Sequence, residues 1–444
     1  MFKSVLPLSF IIALRFFGLF IVLPVISVYA LELEGATPTL VGLVVGGYAL
    51  TQVIFQTPFG IISDKIGRKS TIIVGLVLFA IGSFICATAT DIDSLMLGRF
   101  LQGAGAIGAV VTAMISDLVK EHERPKAMAI MGMFIGVAFA LAMIVGPLVG
   151  GTKGIDGSSG VPILFYLTMC LSCISIYLIA TKVPNPPKIT HTYNTKESVF
   201  EILKNSNINK MNLTNFLQKA LMTFAFLVIP IILTKNYNWD KSELWYVYLP
   251  SMLFGILAMG PAAAIAEKRG VFREILTIGI ALFILSYLII GFSSSATIFV
   301  IGVVIFFIGF NMHEPIMQSL ASKFAKVHQR GSVLGIFNSF GYMGTFVGGL
   351  VGGFVIEHTE DLSILAIIVA IVCIIWGYLI ITMPNPSKTK SIYLSLKEYK
   401  LENSGKLNNN KKIDEWYINN SENILIVKFD EDLISEEEIK ALLK

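Results

Sequence analysis

Residues 60–69 read Gly60-Ile61-Ile62-Ser63-Asp64-Lys65-Ile66-Gly67-Arg68-Lys69, a short charged turn set between two long apolar runs, 39–62 and 71–90. About 20 apolar residues are needed to cross the hydrocarbon core of a bilayer. Working outward, the same alternation of long apolar run and short polar connection continues in both directions. It predicts membrane helices near 5–31, 39–62, 71–90, 94–117, 127–151 and 162–183, then near 212–234, 244–266, 275–294, 296–320, 333–356 and 362–383. The composition agrees: 55% of the 444 residues are hydrophobic and only 14% charged, with a mean hydropathy of +0.74. A soluble protein carries about 25% charged residues, so this chain lacks the polar skin that several soluble domains would need. Disordered, collagen-like and disulfide-scaffold classes are excluded as well.

The distribution of Lys and Arg over the short connections orients the helices. One side collects Lys3, Lys65, Arg68, Lys69, Lys120, Arg124, Lys126, Lys182, Lys188, Lys196, Lys204, Lys210, Lys268, Arg269, Arg273, Lys323, Lys326 and Arg330. The other has only Lys153, Lys235 and Lys241. Both termini and the polar central loop are therefore expected in the cytoplasm. The division is 1–183 and 212–383 as two six-helix bundles, with 184–211 as the loop between them, 384–390 as a linker and 391–444 as a small soluble domain. A six-plus-six arrangement predicts repeated halves. Pro58, Ile62, Asp64, Lys65 and Gly67 are echoed by Pro261, Ile265, Glu267, Lys268 and Gly270 at an offset of 203 residues. The stretch Gly146-Pro147-Leu148-Val149-Gly150-Gly151 is echoed by Gly348-Gly349-Leu350-Val351-Gly352-Gly353 at an offset of 202. Together the two echoes argue for duplication.

The 60–69 loop resembles the signature G-x-x-x-D-[RK]-x-G-R-[RK] of the major facilitator superfamily. Arg99, within Leu97-Gly98-Arg99-Phe100-Leu101-Gln102-Gly103, resembles that family's arginine motif, and Gly146, Pro147, Gly150 and Gly151 resemble its G-P-x-x-G-G of proton-driven exporters, with Ala142 in place of the upstream glycine. Within the family, residues 15–24, 56–60, 116–118 and 311–314 resemble the YajR-type proton-coupled drug exporters. The resemblance implies an all-α membrane protein of twelve transmembrane helices in two pseudo-symmetric bundles, working by alternating access in a bacterial inner membrane. It implies efflux of small amphipathic compounds by proton antiport, with a nutrient symporter or a membrane sensor with a signalling tail as alternatives. It further implies that Asp64 caps a helix of the other half, a latch that includes Gly60, Gly67, Arg68, Lys69 and Asp117. On chemistry alone, Gly67 permits a tight turn and Arg68 can hold a carboxylate bidentately, with Asp117 the expected partner. In the second half Val271 replaces the arginine, so a second latch must be weaker.

Ionisable residues at membrane depth are costly and usually line a cavity or an ion path. Five qualify: Arg15, Arg99, Lys219, His313 and Glu314. Glu314 is the carboxylate farthest from a helix end, so it is the first choice for proton coupling, with pairing to Lys219 as its alternative. Arg99 is implied in coupling by the resemblance, with a structural pair as the alternative. His313 has the intrinsic pKa of a relay, but successive helix positions lie 100° apart, which turns it to a different surface from Glu314. Arg15, Lys219, Asn311, Phe224, Phe226, Tyr246 and Tyr248 are cavity candidates. No acidic residue lies deep in the first six helices apart from Asp117, which argues against strong selectivity for lipophilic cations.

The last 57 residues contain 10 Lys and 11 Asp or Glu, over three times the charge density of the preceding 387. Apolar alternation predicts strands at 391–400, 413–418 and 423–430, and Ser435 with Glu438 forms a capping box before 439–443. A β-α-β-β-α order predicts a small α+β, ferredoxin-like module, with a helix near Asn408–Asn410; the resemblance implies such a domain, with regulation, self-association or contact with the cytoplasmic loops as its alternative roles. Cys86, Cys170, Cys173 and Cys373 all lie in apolar runs, where packing is the expected role. No nucleotide-binding loop, metal-ligand cluster or nucleophile–base pair is present, so neither an enzyme, a cofactor nor a nucleic-acid partner is expected; the bilayer, protons and a small solute are.

Overall fold

The computed structural model describes residues 2–120, 123–152, 159–184, 202–325, 330–359, 361–385, 389–396, 407, 410, 412–419, 423–430 and 433–443. Among them are twelve helices long and apolar enough to cross a membrane. Spans 1–6 are Val5–Ala30, Pro38–Ile66, Arg68–Thr88, Ile92–Leu118, Lys126–Gly150 and Val161–Lys182. Spans 7–12 are Ser206–Lys235, Lys241–Arg269, Phe272–Gly291, Ala296–Phe324, Gly331–His358 and Leu362–Ile381.

The helix ends follow from local chemistry. Orphan amides of a first turn need acceptors, and polar side chains supply them. Asp91 accepts from Ser94 N at 2.8 Å before span 4, and Asp361 accepts from Ser363 N at 2.8 Å before span 12. Asn205 accepts from the amides of Asn207 and Ile208, so span 7 begins at Ser206. It thereby takes in residues 206–211, which the sequence reading placed in the central loop. These residues are polar because the helix projects beyond the apolar layer, which a hydropathy window cannot separate from a loop. Two spans are interrupted. Span 1 comprises helices Phe2–Phe20 and Leu23–Ala30, the second with Pro24 in its first turn, where a missing N–H costs little. Span 4 breaks between Ala104 and Gly108.

Spans 2 and 11 pack along each other across the two halves, as do spans 5 and 8. The second half has the denser aromatic core: Phe283 stacks on Trp376 at 5.9 Å, and Phe306 meets Phe307 edge-on at 5.3 Å. Cys86 and Cys373 are buried, whereas Cys170 and Cys173 face outward on span 6. None of the four is in a disulfide.

The C-terminal domain contains β1 (Thr389–Ser395), β2 (Ile413–Asn419) and β3 (Ile424–Asp430) in one antiparallel sheet of order β1-β3-β2. Helix Glu436–Leu443 covers it, started by the expected capping box: Glu438 N donates to Ser435 Oγ at 3.2 Å and Ser435 N to Glu438 Oε2 at 2.9 Å. Ile392, Leu425, Val427, Phe429 and Ile439 form the core between sheet and helix. The described residues thus give a three-stranded α+β unit. Residues 408 and 409, in the helix expected near Asn408–Asn410, and the end of the first strand, 397–400, lie outside the described residues.

Candidate functional site

Span 7 brings Lys219, and span 10 brings Glu314, into a direct ion pair between Nζ and Oε1. The two side chains remain 25% and 30% exposed. Lys219 Nζ also lies 4.9 Å from the centre of the Phe310 ring, one turn back on span 10, a distance suited to cation–π attraction. Gln218 donates to the Phe310 carbonyl at 3.2 Å, which ties spans 7 and 10 at this level. Phe139 of span 5 reaches across from the first half, 6.3 Å from both Phe310 and Phe226. The pair therefore sits where the two halves face each other. Pro315, inside the continuous helix Ala296–Phe324, removes the amide that would bond the Asn311 carbonyl.

The first half contributes two buried guanidinium groups that no carboxylate accompanies among the described residues. Arg15 donates to Gln52 Oε1 at 2.7 Å and lies 5.5 Å from the Phe79 ring and 5.6 Å from the Phe16 ring. Arg99 donates to the Val44 carbonyl at 3.1 Å and to Gln102 Oε1 at 2.7 Å, beneath the Tyr48 ring at 4.7 Å. Gln102 passes the chain of bonds on to Ser83 Oγ at 2.9 Å. Arg99 thus joins spans 2, 3 and 4.

Other sequence candidates fall elsewhere. His313 is fully buried, bonded through Nε2 to the Leu276 carbonyl at 2.8 Å and packed edge-on against Phe283 and Trp376. It faces spans 9 and 12, away from Glu314, as the 100° helical step requires. Asn311 donates back to the Phe307 carbonyl at 2.8 Å and lies against Gly255 of span 8. Phe224 packs on Tyr287 within the second half, ring centres 6.0 Å apart. Tyr246 stacks on Trp245 at 4.1 Å and is 56% exposed, on the outside of span 8. Tyr248, two residues on, points inward, with its ring 5.8 Å from Phe226.

The two ends of the bundle differ. At the end that carries the 60–69 loop and the C-terminal domain (the tail end), Arg68 Nη1 meets Asp64 Oδ1 at 2.5 Å and Arg68 Nε meets Asp117 Oδ2 at 3.0 Å. Gly67, at φ +98°, makes the turn that places it. Lys69 donates to the carbonyls of Ala180 and Val183. All these partners belong to the first half, and the Asp64 side chain is 64% exposed. Among the described residues, nothing comes within 4 Å of a side-chain carbon built at Gly60, Gly132 or Gly136 in the first half, or at Gly260, Gly331 or Gly335 in the second.

The far end is closed. A carbon at Gly349 of span 11 would lie 2.5 Å from the Gly42 carbonyl oxygen of span 2, and one at Gly151 would lie 2.4 Å from the Ser242 backbone. Lys241 Nζ meets Glu32 Oε1 at 2.6 Å. Thr39 N, in the first turn of span 2, donates to Glu357 Oε2 of span 11 at 3.0 Å. Gly146 lies against the Ile21 carbonyl at the break in span 1, so the motif 146–151 locks the far end of span 5 between span 1 and the second half.

A pseudo-symmetric pair of six-helix bundles, closed at one end and parted at the other around a charged pair, is the architecture of an alternating carrier. The family model of the Major Facilitator Superfamily matches residues 8–228 and 211–416. This chain belongs to the major facilitator superfamily. The inner membrane transport protein YajR of Escherichia coli (strain K12) is 31% identical over 448 residues, covering 98% of this chain and 96% of that one. The quinolone resistance protein NorA of Staphylococcus aureus (strain MRSA252) is 29% identical over 372 residues, covering 81% and 91%. Among solved structures, a D-xylose-proton symporter superposes with a TM-score of 0.70 at 15% identity, covering 86% of this chain and 98% of that one, a likeness of fold alone. This transporter of the superfamily is a multi-pass membrane protein and not an enzyme. Sequence reading misses three of its closing contacts, Glu32–Lys241, Glu357–Thr39 and Gly42–Gly349. The first two join residues 209 and 318 positions apart, and only the glycine repeat of span 11 hints at the third.

Proposed function

We propose that the protein exports small amphipathic compounds by proton antiport, with the Lys219–Glu314 pair as the coupling site. The observation that carries this reading is the pair itself: opposite charges at membrane depth, between the halves, partly exposed. An ionisable pair at membrane depth is costly and usually lines an ion path, and Glu314 is the carboxylate of this pair. A solute that draws Lys219 or Glu314 into its own contacts then exchanges with a proton at one site. The ring of Phe139 reaches the same level from the first half and supplies an apolar contact. The relative named for quinolone resistance and the 146–151 motif support the outward direction. The energy source is the proton gradient, with no bound cofactor.

The 18 Lys and Arg against 3 in the connections support a cytoplasmic tail end in a bacterial inner membrane. On this orientation the structure is open to the cytoplasm, and Asp64 is free to cap span 11 when that side closes. Arg68, with Asp117, keeps Asp64 at the mouth until then. An acid at a helix N-terminus contributes about 0.3–1 kcal/mol, enough to bias a two-state equilibrium without locking it.

The test uses inside-out vesicles with an imposed acidic interior, a panel of zwitterionic, cationic and neutral drugs, and simultaneous records of solute uptake and proton release. Antiport gives uptake with matching proton release, both lost in Glu314→Gln. Uptake without proton movement refutes proton coupling, and uptake that requires protons to move in the same direction establishes symport instead.

A further inference from the structure

The two halves solve the same problem differently at their tail ends. In the first, Arg68 stands four residues after Asp64 and ties it to Asp117. In the second, the residue four after Glu267 is Val271, and the tie is made from span 10. Lys323 Nζ meets Glu267 Oε2 at 2.9 Å, Ser319 Oγ donates to Glu267 Oε1 at 2.7 Å, and the Lys323 ammonium lies 4.6 Å from the Phe272 ring. With its side chain committed to Glu267, Lys323 cannot serve the last carbonyls of its own helix, which have no intrahelical partners.

Those carbonyls are met from the C-terminal domain. Lys428 of β3 donates through Nζ to the Lys323 carbonyl at 3.2 Å and to the Ala325 carbonyl at 3.3 Å. Lys428 is 7% exposed and Ala325 1%. A lysine is almost never buried without partners, and a cation suits the carboxyl end of a helix. Strand alternation separates Lys428 from the domain's own core: Val427 and Phe429 face the terminal helix, so Lys428 and Ile426 lie on the opposite face. Ile426 is 1% exposed yet stands outside the domain's core cluster, so that face is covered. We propose that the sheet face bearing Ile426 and Lys428 is a docking surface for the tail end of span 10, with Lys428 as the tie that holds the C-terminal domain on the second half. The partner is the chain's own membrane bundle. The domain then travels with the helix that carries Glu314, and any ligand that competes for Lys428 releases it.

The test reads position rather than transport, so it stands apart from the proposed antiport. Spin labels at Lys268→Cys and Glu437→Cys, with Cys170 and Cys173 replaced by serine, report the distance between bundle and domain in the full chain in lipid nanodiscs. Hydrogen exchange of the β1 and β3 amides reports whether the sheet is folded. A single narrow distance is expected for the parent and for Lys428→Arg. In Lys428→Met and Lys428→Glu the distribution should broaden at least twofold while the sheet amides stay protected. A narrow distance that survives in Lys428→Met overturns the proposal. So does a broadening accompanied by lost protection in both variants, because Lys428 would then serve the domain's own fold.

Discussion

Gly349→Ala offers the most direct perturbation of the far-end closure. The added methyl carbon would lie 2.5 Å from the Gly42 carbonyl oxygen, 3.0 Å from the Gly46 nitrogen and 3.1 Å from its Cα. All three are backbone atoms, which cannot rotate away. Ordinary contact needs about 3.5 Å, so spans 2 and 11 must separate by roughly 1 Å at this level. Overpacking of this kind costs about 1–3 kcal/mol. The cost falls only on the closed far end, because the two helices part there when it opens. Alanine also favours helix over glycine by about 1 kcal/mol, but that gain is common to both states and cancels. The ratio of far-end-open to far-end-closed protein should therefore rise about 5- to 150-fold at about 1.4 kcal/mol per decade. Labels at Thr152→Cys and Lys235→Cys, which line the far-end cleft from opposite halves, measure it as a longer electron–electron distance. Gly335→Ala is the matched control, on the same helix with no described atom within 4 Å. An unchanged distribution in Gly349→Ala, or an equal shift in the control, refutes the reasoning.

Two further outcomes rest on the ends of the bundle. Glu32→Gln should open the far end only slightly, since an exposed ion pair contributes about 0.2–1 kcal/mol; the reversed pair Glu32→Lys with Lys241→Glu should restore the parent distribution at the same labels, and high salt should erase the difference. The Asp91 carboxyl is held below its usual range first by the backbone amide of Ser94 and then by its hydroxyl. A lowered folded pKa contributes stability above the unfolded value of about 3.9 that disappears as pH falls through the folded value, so the melting-temperature gap between the parent and Asp91→Ala should be full at pH 7 and shrink below pH 4.

Much of the fold is legible in the sequence because a bilayer makes length and hydropathy decisive. The ends were legible where a cap was written locally, as at Asp91 or Ser435. They were not where helix leaves the apolar layer, as at Ser206, because polarity there reports solvent rather than backbone conformation. Tyr246 and Tyr248 show the limit for the site. Two residues are 200° apart on a helix, so identical chemistry put one ring outside and one in, and only the packing of span 8 decides which. The glycine echoes were visible as a repeat, and their neighbours repeat with them: Gly146 and Gly151 set span 5 against span 1 and the start of span 8, and Gly348 and Gly353 set span 11 against span 7 and the start of span 2. The sequence shows the repeat but not the backbone atom that each glycine meets. His313 follows the same logic: its pKa suggested a relay, while its helical position committed it to Leu276.

The Lys219–Glu314 pair could be a structural tie rather than a coupling site, and a thermodynamic cycle separates the two. Removing one partner leaves the other charge in a low-dielectric site, which costs about 3–5 kcal/mol for a fully buried pair. With a quarter or more of each side chain exposed, water recovers much of that loss, so Glu314→Gln and Lys219→Met should each cost about 1–2 kcal/mol. The double variant leaves no uncompensated charge, and should return to within about 0.5 kcal/mol of the parent. A tie that only stabilises the bundle predicts that recovered stability brings recovered function: the double variant transports, with its proton release intact. A coupling site predicts that the double variant folds as well as the parent, still binds or passes solute, and moves no protons. Melting temperature and proton release measured on the same four proteins decide it, and proton-coupled flux in the double variant would remove Glu314 from the coupling path.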